Sequence, residues 1–154
     1  MRRIDLLIEE YGESHQNGIN KLIHWIFVPA IMFSLIGLLS LIPFPLSIPY
    51  FNWATLVLLL ALFYYLRLSI TMFLSFCVIC IILLRLVNVV IENKIFNLPS
   101  AAFFISVFIV AWIFQFIGHH IEGKKPSFFK DLQFLLIGPA WLLHFVFKKI
   151  GLGY

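Results

Sequence analysis

Two short segments hold nearly all the metal-ligating chemistry of this chain. SHQNGINKLIHW, residues 14–25, carries His15, Asn17, Asn20 and His24. WIFQFIGHHIEGKKP, residues 112–126, carries Gln115, His119, His120, Glu122, Lys124 and Lys125. On a helix Asn20 and His24 are i, i+4 neighbours and share a face. Trp112, Gln115, His119 and Glu122 follow one another at spacings of 3, 4 and 3, a polar stripe along an otherwise apolar helix. His120 lies about 100° round from His119, so one continuous helix cannot turn both to a single centre. Gly118 lets a neighbouring helix approach closely. Neutral imidazole suits iron, zinc, copper or nickel, and mixed histidine and carboxylate sites with open positions suit a non-haem Fe(II) that activates O₂. No spacing here is diagnostic alone, and a single histidine at a membrane boundary is usually an interface residue. Four of five histidines in these two segments make a metal site the competing reading.

The elements that position these residues are membrane elements. Hydrophobic residues make up 62% of the 154 and charged residues 12%, against about 25% charged in soluble domains. An all-α integral membrane protein of a single domain, residues 1–154, is expected. The basic excess, 11 Lys and Arg against 7 Asp and Glu, has no basic, aromatic surface segment beside it, so it reports orientation in the bilayer and excludes nucleic acid as the partner. MRRIDLLIEE is not a secretory signal, because Asp5, Glu9 and Glu10 interrupt it before an adequate apolar region. Cys77 and Cys80 form a C-x-x-C inside an apolar run, where thiols pack as small hydrophobes.

Apolar runs predict four transmembrane helices over about 22–42, 51–66, 69–91 and 98–118. Ile4, Leu7, Ile8 and Tyr11 recur at helical spacing, predicting an N-terminal interfacial helix over 3–13. A last apolar run, 132–147, is short for a span and broken by Gly138-Pro139, so it reads as a C-terminal re-entrant or interfacial helix. With four spans, Arg2, Arg3, Lys21, Arg67, Lys124, Lys125, Lys130, Lys148 and Lys149 share one side and Lys94 stands on the other. The positive-inside rule makes the rich side, with both termini, cytoplasmic. His15 and His24 then meet His119 and His120 on one membrane face, although about 100 residues separate the pairs. His144 on the last run faces headgroups or joins that site. Arg85, inside the third span, pairs with a polar group such as Glu92 or snorkels to an interface.

At these residues the chain resembles a known family. SHQNGINKLIHWIFVP, followed by WIFQFIGHHIEGKKPS and LIGPAW, is similar to the DUF962, or Mpo1-like, family of small membrane proteins. The likeness runs over nearly the whole chain. It lies in H-x-N-x-x-N-x-x-x-H-x-x-x-x-P paired with Q-F-I-G-H. The resemblance implies an Fe(II)-dependent dioxygenase of fatty-acid α-oxidation, which converts a 2-hydroxy fatty acid to the acid one carbon shorter with O₂. It implies His15, His24 and His119 as iron ligands, with Glu122 as a further ligand or a hydrogen-bond acceptor beside them, and His120 and His144 as lesser candidates. Asn17, Asn20 and Gln115 would orient the imidazoles, and Lys124 and Lys125 would steer the substrate carboxylate. A 2-hydroxy acid chelates through carboxylate and hydroxyl and supplies its own electrons, so no 2-oxoglutarate is needed. The host would be the inner membrane of a bacterium or the endoplasmic reticulum of a eukaryote. The rival readings are a zinc-dependent enzyme of another lipid head group and a non-catalytic lipid carrier or assembly factor. A carrier would place polar groups deep in several spans, whereas here they collect at one end.

Overall fold

The computed structural model describes residues 2–46, 48–94, 97–123 and 128–154, with the backbone alone for 128–134. Six helices make up the described residues: α1 (Arg3–Glu13), α2 (Gly18–Leu41), α3 (Trp53–Leu68), α4 (Ile70–Asn93), α5 (Ser100–Glu122) and α6 (Phe128–Ile150). The fold is all-α. By length and composition α2, α4 and α5 can cross a membrane, while α3, equally apolar, has 16 residues. At 1.5 Å per residue that is about 24 Å, short of a hydrocarbon core of about 30 Å.

The first long helix starts four residues before the apolar run does. Asn17 caps it, its side-chain oxygen accepting from the backbone N–H of Ile19 at 2.8 Å and of Asn20 at 3.4 Å. This extra turn brings Asn20 and His24 into one rigid helix. α2 packs most extensively against α5, antiparallel: Asn20 meets Gly118, Phe27 stacks on Phe114 at 4.3 Å, and Gly37 meets Phe104. A Cβ on Gly37 would stand 2.4 Å from the Phe104 ring, which is wholly buried and has nowhere to go. Gly37→Ala is therefore expected to lower stability by about 1–3 kcal/mol through overpacking. Thermal unfolding in detergent checks this, with Gly153→Ala, where nothing lies within 4 Å, as the neutral control.

Two expectations change on folding. The apolar stripe of α1 does not lie free on a lipid surface: Ile4, Leu7, Ile8 and Tyr11 are buried in one cluster with Ile137, Ala140, Trp141 and Leu142 of α6. α6 itself runs unbroken through Gly138-Pro139. A proline removes one ladder hydrogen bond, here the one to the Leu135 carbonyl; the next carbonyl, that of Leu136, accepts from the Tyr65 hydroxyl at 2.6 Å and ties this turn to α3. Gly138 serves close approach, since its α-carbon lies under the Tyr11 hydroxyl, 3.0 Å from where a Cβ would stand. Cys77 and Cys80 are free thiols, Cys80 buried in the second core cluster. Arg85 faces outward on α4, and among the described residues no ion pair joins it to Glu92.

Candidate metal centre

His15 stands in the turn between α1 and α2. Its backbone N–H donates to Gly12 O at 3.0 Å and its Nδ1 lies 2.6 Å from Tyr11 O, so the last turn of α1 fixes both main chain and ring. His24 sits in α2 with Nδ1 2.9 Å from Asn20 O. His119 arrives from the end of α5, its ring centroid 5.5 Å from that of His15 and 5.3 Å from that of His24. One ligating nitrogen from each of the three lies within 4.8 Å of the others, a group that can hold a metal ion.

The hydrogen bonds of the two buried rings fix their tautomers. A carbonyl oxygen can only accept, so the Nδ1 of His15 and of His24 both carry a hydrogen. In neutral rings each Nε2 is then a bare lone pair, and the two Nε2 atoms face one another at 2.9 Å. Both rings are 1% exposed, so bulk water does not separate them. Protonation is not the ready answer either, since burial, the largest influence, pushes the His15 imidazole down to about 4. Two converging lone pairs in a dry site are satisfied by a cation.

Three imidazole nitrogens gathered in this way are compatible with iron, zinc, copper or nickel.

Aromatic walls hold the rings. Tyr11 stacks on His15 with centroids 4.1 Å apart and planes within 9°. Trp141 closes the next side, 5.3 Å from His15 and 5.4 Å from Tyr11. Neither residue is singled out by the sequence reading. Tyr11 closes the amphipathic stripe of α1 and Trp141 belongs to LIGPAW, but apolar periodicity marks both only as core.

The remaining candidates fall in different places. Glu122, half-buried, turns to the backbone of the α1–α2 turn: it accepts from Gln16 N–H at 2.7 Å, from Asn17 N–H at 3.0 Å and from Asn20 Nδ2 at 2.9 Å. Asn17 is occupied as the α2 cap, and Asn20 reaches His24 through its carbonyl rather than its amide. The imidazoles of His15 and His24 are thus aimed by main-chain oxygens, not by the Asn and Gln side chains expected to do so. Gln115, 5% exposed and one helical turn from His119, has an Nε2 with no hydrogen-bond partner among the described residues, and so has the Trp112 indole nitrogen. His120 is exposed and outside the triad. His144 is also outside it, its Nδ1 2.5 Å from the Tyr154 hydroxyl. Lys124 and Lys125 lie outside the described residues.

The comparisons with known proteins converge with this geometry. A family model described as 2-hydroxy-palmitic acid dioxygenase Mpo1-like matches residues 1–150. The chain is 33% identical over 143 residues to the 2-hydroxy-palmitic acid dioxygenase MPO1 of Saccharomyces cerevisiae, covering 92% of this chain and 78% of the yeast protein. No solved structure matches the chain significantly. With a match over nearly its full length and three histidines gathered so that they can hold a metal ion, the chain belongs to the Mpo1-like family of 2-hydroxy-palmitic acid dioxygenases.

Proposed function

We propose that this protein is an Fe(II)-dependent dioxygenase that shortens 2-hydroxy fatty acids by one carbon. The observation that carries the reading is the pair of facing Nε2 lone pairs, with His119 beside them, in a member of this family. His15, His24 and His119 hold the iron. When bound, Fe(II) supplies the redox chemistry that O₂ needs to react with a closed-shell hydroxy acid. The balance closes without a further reductant: the C1–C2 unit gives up four electrons to one O₂, yielding the shorter acid, carbon dioxide and water.

The chain's own residues do the rest. Tyr11 and Trp141 keep bulk water from the His15 side. Side chains on α5 lean toward its N-terminus, so the Gln115 amide sits deeper than the His119 ring. From there it donates to the substrate's carboxylate while the acyl chain lies among apolar helices. A Gln115→Leu variant is expected to raise KM by about 10–100-fold, the loss of one hydrogen bond to a charged group. Its unfolding temperature in detergent should not fall, because a buried amide nitrogen with no partner among the described residues is being removed. An unchanged KM would take Gln115 out of the substrate site.

The charge asymmetry supports a four-span topology, with α3 completing the set by thinning the bilayer or carrying flanking residues into it, and with both termini and the metal site at the cytoplasmic face. Lys124 and Lys125, on that side, steer the acid head. The reaction is tested by giving anaerobically purified, iron-loaded protein 2-hydroxypalmitate and O₂. Pentadecanoic acid is expected from that substrate and none from palmitate, which lacks the hydroxyl. Equal turnover of both would refute a mechanism that depends on the 2-hydroxy group.

A further inference from the structure

We propose that Glu122 is a positioning residue, a latch that fastens the His15-bearing turn to α5 and so holds the three imidazoles in register without touching the metal. The inference rests on the metal reading above and specifies how the site is assembled. Two of the ligands, His15 and His24, come from the α1–α2 turn and α2, and the third from α5. Their relative placement depends on what joins the turn to the end of α5.

Glu122 stands three residues beyond His119, on the same helix face. Its carboxylate makes four contacts across the gap: Oε1 with the N–H of Gln16 at 2.7 Å and of Asn17 at 3.3 Å, Oε2 with the N–H of Asn17 at 3.0 Å and with Asn20 Nδ2 at 2.9 Å. A carboxylate offers about four lone-pair sites. Three N–H donors, one of them shared between the two oxygens, engage the carboxylate on the side of the turn. The donors are the peptide groups just before α2 and a side chain in its first turn, where a helix presents N–H groups that favour an anion. Gln16 is the residue next to His15, so the latch closes one peptide away from a ligand.

Asn20 makes the latch specific. Its amide nitrogen donates to Glu122 and, at 3.3 Å, to the Ser14 carbonyl, bridging both ends of the turn. Asn20 is fully buried, and its oxygen rests on Gly118, the one position where α5 has no side chain to hold it off.

The test uses Co(II) as a spectroscopic probe on the full-length protein in detergent. Glu122→Gln puts an amide donor where the carboxylate accepts, opposing N–H against N–H. The expected result is a Co(II) dissociation constant raised about 10–100-fold, the usual range for residues that orient metal ligands, with the visible absorption spectrum at saturating metal unchanged. Asn20→Ala should weaken binding in the same direction, and the double variant should be no worse than Glu122→Gln alone, as two parts of one device require. A shifted or weakened spectrum at saturation would make Glu122 a ligand and overturn the latch. Wild-type affinity in Glu122→Gln, or additive effects in the double variant, would overturn it as well while leaving the three-histidine site standing. A wild-type protein that binds no Co(II) would instead remove the metal reading itself.

Discussion

A His24→Ala variant is expected to bind no stoichiometric metal and to lose all detectable turnover, while remaining folded. His24 supplies one of the two Nε2 atoms that converge at 2.9 Å. Without it His15 and His119 are left as a two-nitrogen site, too few to hold a divalent ion against water. The fold should survive because the cost is a buried cavity, about 2–4 kcal/mol for a ring of this size, partly offset by relief of the lone-pair repulsion. Elemental analysis of the purified variant, with circular dichroism as the check on folding, measures both halves. His120→Ala serves as the control, since His120 is exposed and outside the triad. It should keep wild-type metal content. Full occupancy in folded His24→Ala would remove that residue from the site.

Gly118→Val should be nearly as damaging, although glycine has no chemistry of its own. A Cβ at position 118 would stand 2.4 Å from Asn20 Oδ1 and 3.4 Å from Asn20 Cγ. Asn20 cannot swing aside, being fully buried and bonded to Glu122 and Ser14. α2 and α5 must therefore separate at the level of the ligands, carrying His24 away from His119. Overpacking of this kind costs about 1–3 kcal/mol in stability. The larger effect falls on the site, where a displacement of about 1 Å costs on the order of 100-fold in rate. O₂ uptake with 2-hydroxypalmitate and metal affinity should both drop by at least that factor. A Gly118→Val protein with wild-type affinity would mean that the α2–α5 separation does not set the site.

The grouping of histidines was partly legible in the sequence. Charge asymmetry allows the ends of the first and fourth apolar runs to share one membrane face, and the 100° step lets only one of His119 and His120 face a given centre; that the one is His119, beside His15 and His24, was implied by the family resemblance and agrees with the observed cluster. What tertiary contact alone decides was less readable. The stripe Ile4, Leu7, Ile8, Tyr11 was visible as amphipathic, but nothing local says whether lipid or α6 covers it. Gly138-Pro139 reads as a break because both residues disfavour helix, whereas tertiary contacts hold the helix there: the glycine admits Tyr11, and the Tyr65 hydroxyl bonds the Leu136 carbonyl. Asn17 beside two histidines suggested a group that aims them. It stands one residue before the first helical turn, where Asn is a favoured N-cap. Glu122 could be placed near the site by its stripe, but its choice between metal and backbone depends on where the free N–H groups of a distant turn fall.

Metal analysis of anaerobically purified protein, read together with O₂ consumption on addition of 2-hydroxypalmitate, tests the iron dioxygenase directly. About one iron per chain is expected, with O₂ uptake matched by formation of the acid one carbon shorter. Tightly bound zinc with no O₂ consumption would contradict it.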